Sequence, residues 1–166
     1  MTDAEQTGAP MRGVETETGR NAAPAISTAG YEGLVQEQLL DRLEAAGVQV
    51  LIDIRAVPNS RKPGFSKKIL AASAEARGVR YVHIQALGTP KAGRIAARAG
   101  RGEEMARIFG AHLQTEAAQA GLVAARDIAS GAPCCLLCFE RDPHLCHRRI
   151  VAEVIAAQTG QQVVHL

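Results

Sequence analysis

Pro133 to Phe139 reads PCCLLCF, a short unbroken apolar run closed by Glu140, Arg141 and Asp142. A run that is apolar at every position, and not at every second one, suits a strand covered on both faces. Asp142 then Pro143 is a helix-start signal, pairing an N-cap carboxylate with a residue whose φ is already set. Ile150, Val151, Val154 and Ile155 follow at helical spacing, and Gly160 suits the C-cap. The predicted helix carries Cys146 and His147 in its first turn. His147, three and four residues before Ile150 and Val151, shares their inward face. A doubly buried strand feeding such a helix requires a sheet with cover on both sides.

The rest of the chain repeats that unit. A strand is expected at AISTA (25–29), ending in Gly30, Tyr31, Glu32 and Gly33, with a helix from Val35 to Ala46. VQVLIDI (48–54) is the clearest strand, followed by a polar breaker loop from Arg55 to Phe65. Ser66 caps a helix to Arg77, and Val79 to Ile84 is a third strand. Gln85 to Gly102, rich in glycine, proline and basic residues, reads as irregular surface or a loop over a site. Glu103 to Ser130 reads as helix, broken near Gly110 or Gly121, and QVVHL closes the chain as a strand. Strands alternating with helices predict an α/β fold: a single-domain sandwich with a largely parallel central sheet flanked by helices. Residues 1–24, polar and without periodicity, are expected to form a disordered tail, leaving 25–166 as the domain.

A length of 166 residues suits one core of ordinary size, and 46% hydrophobic with 22% charged residues suits a soluble globular chain. No apolar run approaches the roughly 18 residues that span a bilayer. The N-terminus has neither the basic nor the apolar region of a secretory signal, so the cytosol is the expected location. The four cysteines fall within thirteen residues, which argues against a disulfide framework. Cys134 and Cys135 read as small core hydrophobes.

In a parallel sheet, ligands bind beyond the carboxyl ends of the strands. Those ends carry Tyr31 and Glu32, Asp53 and Arg55, His83, and Cys138 and Glu140. From Arg55 to Lys68 there are five basic side chains and no acidic one. Arg55, Arg61 and Lys67 are candidate anion ligands, with Ser60 beside them and the helix N-terminus at Ser66 to attract phosphate. Tyr31, Phe65 and Phe139 are candidate stacking partners for a nucleobase. Asp53, Glu32 and Glu140 are candidates for acid–base work.

Three readings compete for Cys138, Cys146 and His147. The first is a metal site, with Glu140 as a fourth ligand, since zinc favours thiolate and imidazole. The second is a reactive thiol: Cys146 in a first helical turn, beside Arg148 and His147, sits where a thiol pKa falls and a base is at hand. The third is structural, with buried cysteines and a histidine bonded to a backbone carbonyl.

Taken together, STAGYEG, LIDIRAVPNSRKPGFSKK, YVHIQALGTP, LLCFERDPHLCHRRIVAEVI and VVHL resemble the domain-of-unknown-function family numbered 488. The resemblance spans nearly everything from Ala25 to Leu166. It departs at the opening strand, where Ala29 replaces a larger apolar residue. It implies a compact α/β domain and no established activity. The family's signature positions fall on Gly30, Tyr31, Glu32, Asp53, Arg55, Ser60, Arg61, Phe65, Cys138, Glu140, Asp142, Pro143, Cys146, His147 and Arg148. A weaker likeness is to rhodanese-type sulfurtransferases, which share an opening like VLIDIR and a cysteine at a strand end. FERDPHL after Cys138 lacks the glycine and serine of their anion loop.

The sequence therefore predicts an enzyme acting on a phosphate-bearing substrate, a nucleotide or a nucleic-acid end. Catalysis is expected from Asp53, Glu32, Glu140, Cys146 and His147, and substrate binding from Tyr31, Arg55, Ser60, Arg61, Phe65, Lys67 and Arg148. The alternatives are a non-catalytic module for a nucleotide or nucleic acid, and a sulfur-transfer enzyme working through Cys138. The sequence names no cofactor and no protein partner.

Overall fold

The structure, a computed structural model, describes residues 24–166. The expected tail lies outside the described residues except for Pro24. Five strands, β1 (Ile26–Gly30), β2 (Val50–Asp53), β3 (Arg80–His83), β4 (Cys134–Cys138) and β5 (Val163–His165), form one sheet in the order β3-β2-β4-β1-β5. Every pairing is parallel, so the sheet is wholly and not just largely so.

Helices cover both faces. Against one lie α1 (Gln36–Ala45) and α2 (Lys67–Ala76), where Leu39, Leu43 and Leu70 pack on Leu51, Cys135 and Leu137. Against the other lie α3 (Lys91–Arg98), α4 (Gly102–Leu113), α5 (Glu116–Gly131) and α6 (His147–Thr159). There Phe109, Leu122 and Val151 meet Ile52 and Leu136. Each such side chain contributes roughly 1.5–3 kcal/mol by leaving water. The two-residue period of a strand divides β2 and β4 between these layers, which explains their unbroken apolar sequence.

β2 and β4 are neighbours, yet their connections diverge. β2 continues through α2 to the edge strand β3, whereas β4 continues through α6 to β5 at the opposite edge. Divergence of this kind leaves a crevice beyond the carboxyl ends of the two strands. Two glycines let the surrounding loops close on it. A Cβ on Gly30 would lie on the Glu140 carbonyl, and one on Gly88 would collide with the Ala56 backbone.

Three stretches differ from expectation. Gln85 to Gly102 is ordered: a 3-10 turn (Gln85–Leu87) precedes α3, in which Ala96 and Ala97 are buried and Gly93 closes against Thr89 and Ile108. Its alanines and arginines favour helix strongly enough to outweigh one interior glycine. The long helix breaks at Gln114 and Thr115, between α4 and α5, and not at a glycine. Thr115 Oγ1 accepts from the Ala118 amide and so starts a new helix. Gly121 stays helical and serves packing, close against Ile84 and Leu87. Finally, Asp142 caps only a 3-10 turn (Pro143–Leu145), accepting from the His144 amide. Cys146 then adopts an extended conformation, and α6 begins at His147.

Candidate functional site

A cavity of about 540 Å³ occupies the crevice between the ends of β2 and β4. The β2 loop lines it with Arg55, Ala56, Val57, Asn59, Ser60 and Arg61. The other wall is Cys138, Phe139 and Glu140 from the end of β4, with Leu145 and His147 beyond them. α3, α4 and the turn before α3 complete it with Thr89, Arg94, Ala97, Arg98 and Met105, and Tyr31 reaches it from the end of β1.

At the floor, Cys138 Sγ lies 3.6 Å from His147 Nδ1 and 3.3 Å from Glu140 Oε2. Cys146 Sγ lies 3.9 Å from the same nitrogen. On the far side of the ring, Nε2 is 3.1 Å from the Ile54 carbonyl. A carbonyl only accepts, so Nε2 carries the proton and Nδ1 presents its lone pair to the two sulfurs. The Phe109 ring packs 4.9 Å from the imidazole and holds its orientation. Cys146 is 1% exposed and does not line the cavity. Burial pushes its thiol well above the usual range, opposite to the lowering expected of a thiol in a first helical turn. The cavity-facing sulfur is that of Cys138.

Asp53 takes no such place, and Arg55, although it lines the cavity, turns its guanidinium onto Asp53. Asp53 points into the α1/α2 layer, fully buried, and accepts from Arg55 Nε at 2.9 Å, Arg55 Nη2 at 2.6 Å and the Tyr81 hydroxyl. Arg55 Nη1 donates to Tyr31 Oη at 3.0 Å and the Phe65 carbonyl at 2.8 Å. Burial works against the guanidinium charge, but Asp53 more than offsets it and holds Arg55 above its ordinary pKa. Burial and the bond to Asp53 likewise push the Tyr81 phenol up. Both Asp53 oxygens are thus engaged within the fold, and Arg55 has little donor capacity left for a ligand.

Other candidates turn out to position the walls. Arg148 is buried, donating to Thr28 Oγ1 at 3.3 Å, the Arg141 carbonyl at 2.9 Å and the Glu140 carbonyl. Glu32 Oε2 accepts from the Arg141 amide at 2.9 Å and ties the β1 loop to the β4 loop. Phe65 is fully buried and stacked on Tyr31 at 4.3 Å, so neither ring offers an open face to a base. Phe139, edge-on to Tyr31 and 40% exposed, is the aromatic ring that stands open at the cavity. Lys67 lies outside the cavity, its Nζ 3.1 Å from His83 Nδ1. The Lys67 amide, the first of α2, donates to the Pro58 carbonyl.

Of the sequence candidates, then, Tyr31, Ser60, Arg61, Cys138, Phe139, Glu140 and His147 come together, with the edge of Arg55. Sequence reasoning missed Arg94 and Arg98. Their i, i+4 spacing marked one helix face, but the surrounding glycines and prolines hid the helix. Among the described residues, Arg61, Arg94 and Arg98 form no ion pair, and Glu140 is the only carboxylate in the lining.

A family model described as "Domain of unknown function DUF488" matches residues 36–155. The chain belongs to the DUF488 family. The match takes in the β2 loop, α3 and the Cys138–His147 floor, and leaves β1 with Tyr31, and β5, outside it. No curated protein and no solved structure matches the chain. This DUF488 protein is α/β throughout its described residues, and none of its described helices is long and apolar enough to cross a membrane.

Proposed function

We propose that this DUF488 protein is an enzyme acting on a phosphate-bearing substrate, a nucleotide or a nucleic-acid end, bound in the cavity between β2 and β4. The observation that carries the reading is the company that one cavity brings together: Arg61, Arg94 and Arg98 with Cys138, Glu140 and His147. Unpaired guanidinium groups favour phosphate through charge-assisted, often bidentate hydrogen bonds. Ser60 and Thr89 add hydroxyls, and Phe139 offers a face to a base.

The reacting groups are reassigned accordingly. Glu140 and His147 are the acid–base candidates, and Cys138 is the sulfur that faces substrate. Asp53, Arg55, Glu32 and Arg148 hold the walls in place. Sulfur transfer through Cys138 is less well supported. The amides of Arg141, His144, Leu145 and Cys146, which would have to cradle an anion beside the sulfur, already donate within the protein.

The test is calorimetric titration with nucleoside mono- and diphosphates and a 5′-phosphorylated oligonucleotide, followed by assay of bound ligands for turnover. Arg94→Glu with Arg98→Glu is expected to weaken binding by about tenfold or more, since a lost charged hydrogen bond is worth ~1.5–3 kcal/mol. Unchanged binding in that double variant ends the reading. Ligands that bind tightly and are never turned over favour the non-catalytic binding module.

A further inference from the structure

We propose that Cys138, Cys146 and His147 form a site for a thiophilic divalent cation, zinc above all, with its fourth position open to the cavity. The inference rests on the geometry of the floor and not on the arginine wall. The two sulfurs and His147 Nδ1 all lie within 4.8 Å of one another. Tetrahedral ligation, with metal–sulfur distances of about 2.3 Å and metal–nitrogen of about 2.0 Å, spaces ligand atoms roughly 3.5–3.8 Å apart. The sulfur–nitrogen separations are 3.6 Å for Cys138 and 3.9 Å for Cys146, so the first is at that spacing and the second needs a shift of a few tenths of an ångström, about the reach of a small χ1 rotation.

The imidazole is prepared for the same role. Donation from Nε2–H to the Ile54 carbonyl fixes the tautomer that leaves Nδ1 free, the arrangement that metal-bound histidines show. Two sulfurs and one imidazole nitrogen are a soft donor set, which selects zinc over magnesium or calcium. Three protein ligands mark a site with room for a fourth, whereas closed structural sites have four. Here the fourth direction is set by burial: Cys138 and His147 line the cavity, and Cys146 closes the site behind them. With Nδ1 on the cation and Nε2 bonded to Ile54, His147 becomes a ligand, and the acid–base role falls to Glu140, 3.3 Å from Cys138 beside that opening. A phosphate oxygen held by the arginines would approach the cation from there.

The experiment uses the full chain, purified under reducing conditions without chelator. Elemental mass spectrometry measures metal content, and Co²⁺ is titrated into the chelator-stripped protein. One equivalent of zinc is expected, together with thiolate-to-cobalt charge transfer and the intense visible bands of tetrahedral Co²⁺. Cys138→Ser and Cys146→Ser are expected to lose the site, and Cys134→Ala, at the other end of β4, to keep it. If the ligand variants fail to fold, the wild-type cobalt spectrum still decides. Zinc-free wild type that takes up no Co²⁺ overturns the proposal, as does Co²⁺ bound without thiolate bands. A Cys138–Cys146 disulfide in air, with no metal uptake after reduction, overturns it in favour of a redox pair. Arg94→Glu with Arg98→Glu is expected to retain metal, so loss of anion binding and loss of metal are read apart.

Discussion

Arg55 folds back onto Asp53, two residues before it, with Nη2 2.6 Å from Oδ2 and both side chains buried. The pair sits on the α1/α2 side of β2, where Tyr31, Phe65 and Tyr81 complete its hydrogen bonds. It sets the path of the β2 loop, and that loop is one wall of the cavity. Two residues that look like chemistry at a strand end thus spend most of their hydrogen bonds on the fold.

Breaking this pair on one side leaves a buried charge without its partner. Asp53→Ala is expected to destabilise the protein by about 3–5 kcal/mol. Replacing both residues, Asp53→Ala with Arg55→Met, is expected to cost less than the sum of those two single changes. Urea denaturation of the two single variants and the double variant checks this; additive costs would mean the residues do not act as a pair.

Arg148→Met keeps most of the side-chain volume and removes the donors that hold the Glu140 and Arg141 carbonyls. The expected loss is about 1 kcal/mol for each hydrogen bond removed, since water can reach these part-buried carbonyls. Faster hydrogen exchange of amides in the 139–146 loop should accompany it. Loss of stability without faster exchange there would place the role of Arg148 elsewhere.

Gly88→Ala is expected to destabilise by about 1–3 kcal/mol, because its Cβ would overlap the Ala56 backbone. Relief of the clash parts the β2 loop from the turn before α3, so ligand affinity falls as well. Gly131→Ala, where a Cβ meets nothing within 4 Å, is the matched control and is expected to leave affinity unchanged.

Arg98 is exposed and makes no ion pair among the described residues. Arg98→Ala is expected to change stability by no more than about 0.5 kcal/mol while weakening the phosphate-bearing ligand. Thermal unfolding and calorimetry on the same preparation check the two halves together.

Burial pushes the Cys134 thiol up to about 11 from an ordinary 9.0, and pushes Cys135 higher still. Raised folded-state values mean that the folded chain keeps protons that the unfolded chain releases. Stability is therefore untouched below pH 9 and falls as pH climbs from 9 toward 11. Cys134→Ala is expected to flatten that decline in denaturation curves taken across the range. An unaltered slope would assign the alkaline loss to other groups.

The α/β class and the parallel sheet were legible in the sequence, because continuous apolar strands and helical periodicity are local patterns enforced by burial. The floor was half legible. Cys138, Cys146 and His147 stood out by residue type, but their meeting at one nitrogen depends on the extended turn at Cys146, which no local signal marked. What tertiary structure alone decided was which strand-end groups share a space. Asp53 and Cys138 both close a strand, yet one points to the α1/α2 layer and the other to α6, since alternate residues of a strand face opposite sides. The arginines of α3 reached the same cavity only through the packing of helices across the sheet. A charge read along the chain carries no direction. Burial supplies that direction, turning Arg55 and Arg148 onto partners within the fold, while Arg61, Arg94 and Arg98 line the cavity without an ion pair among the described residues.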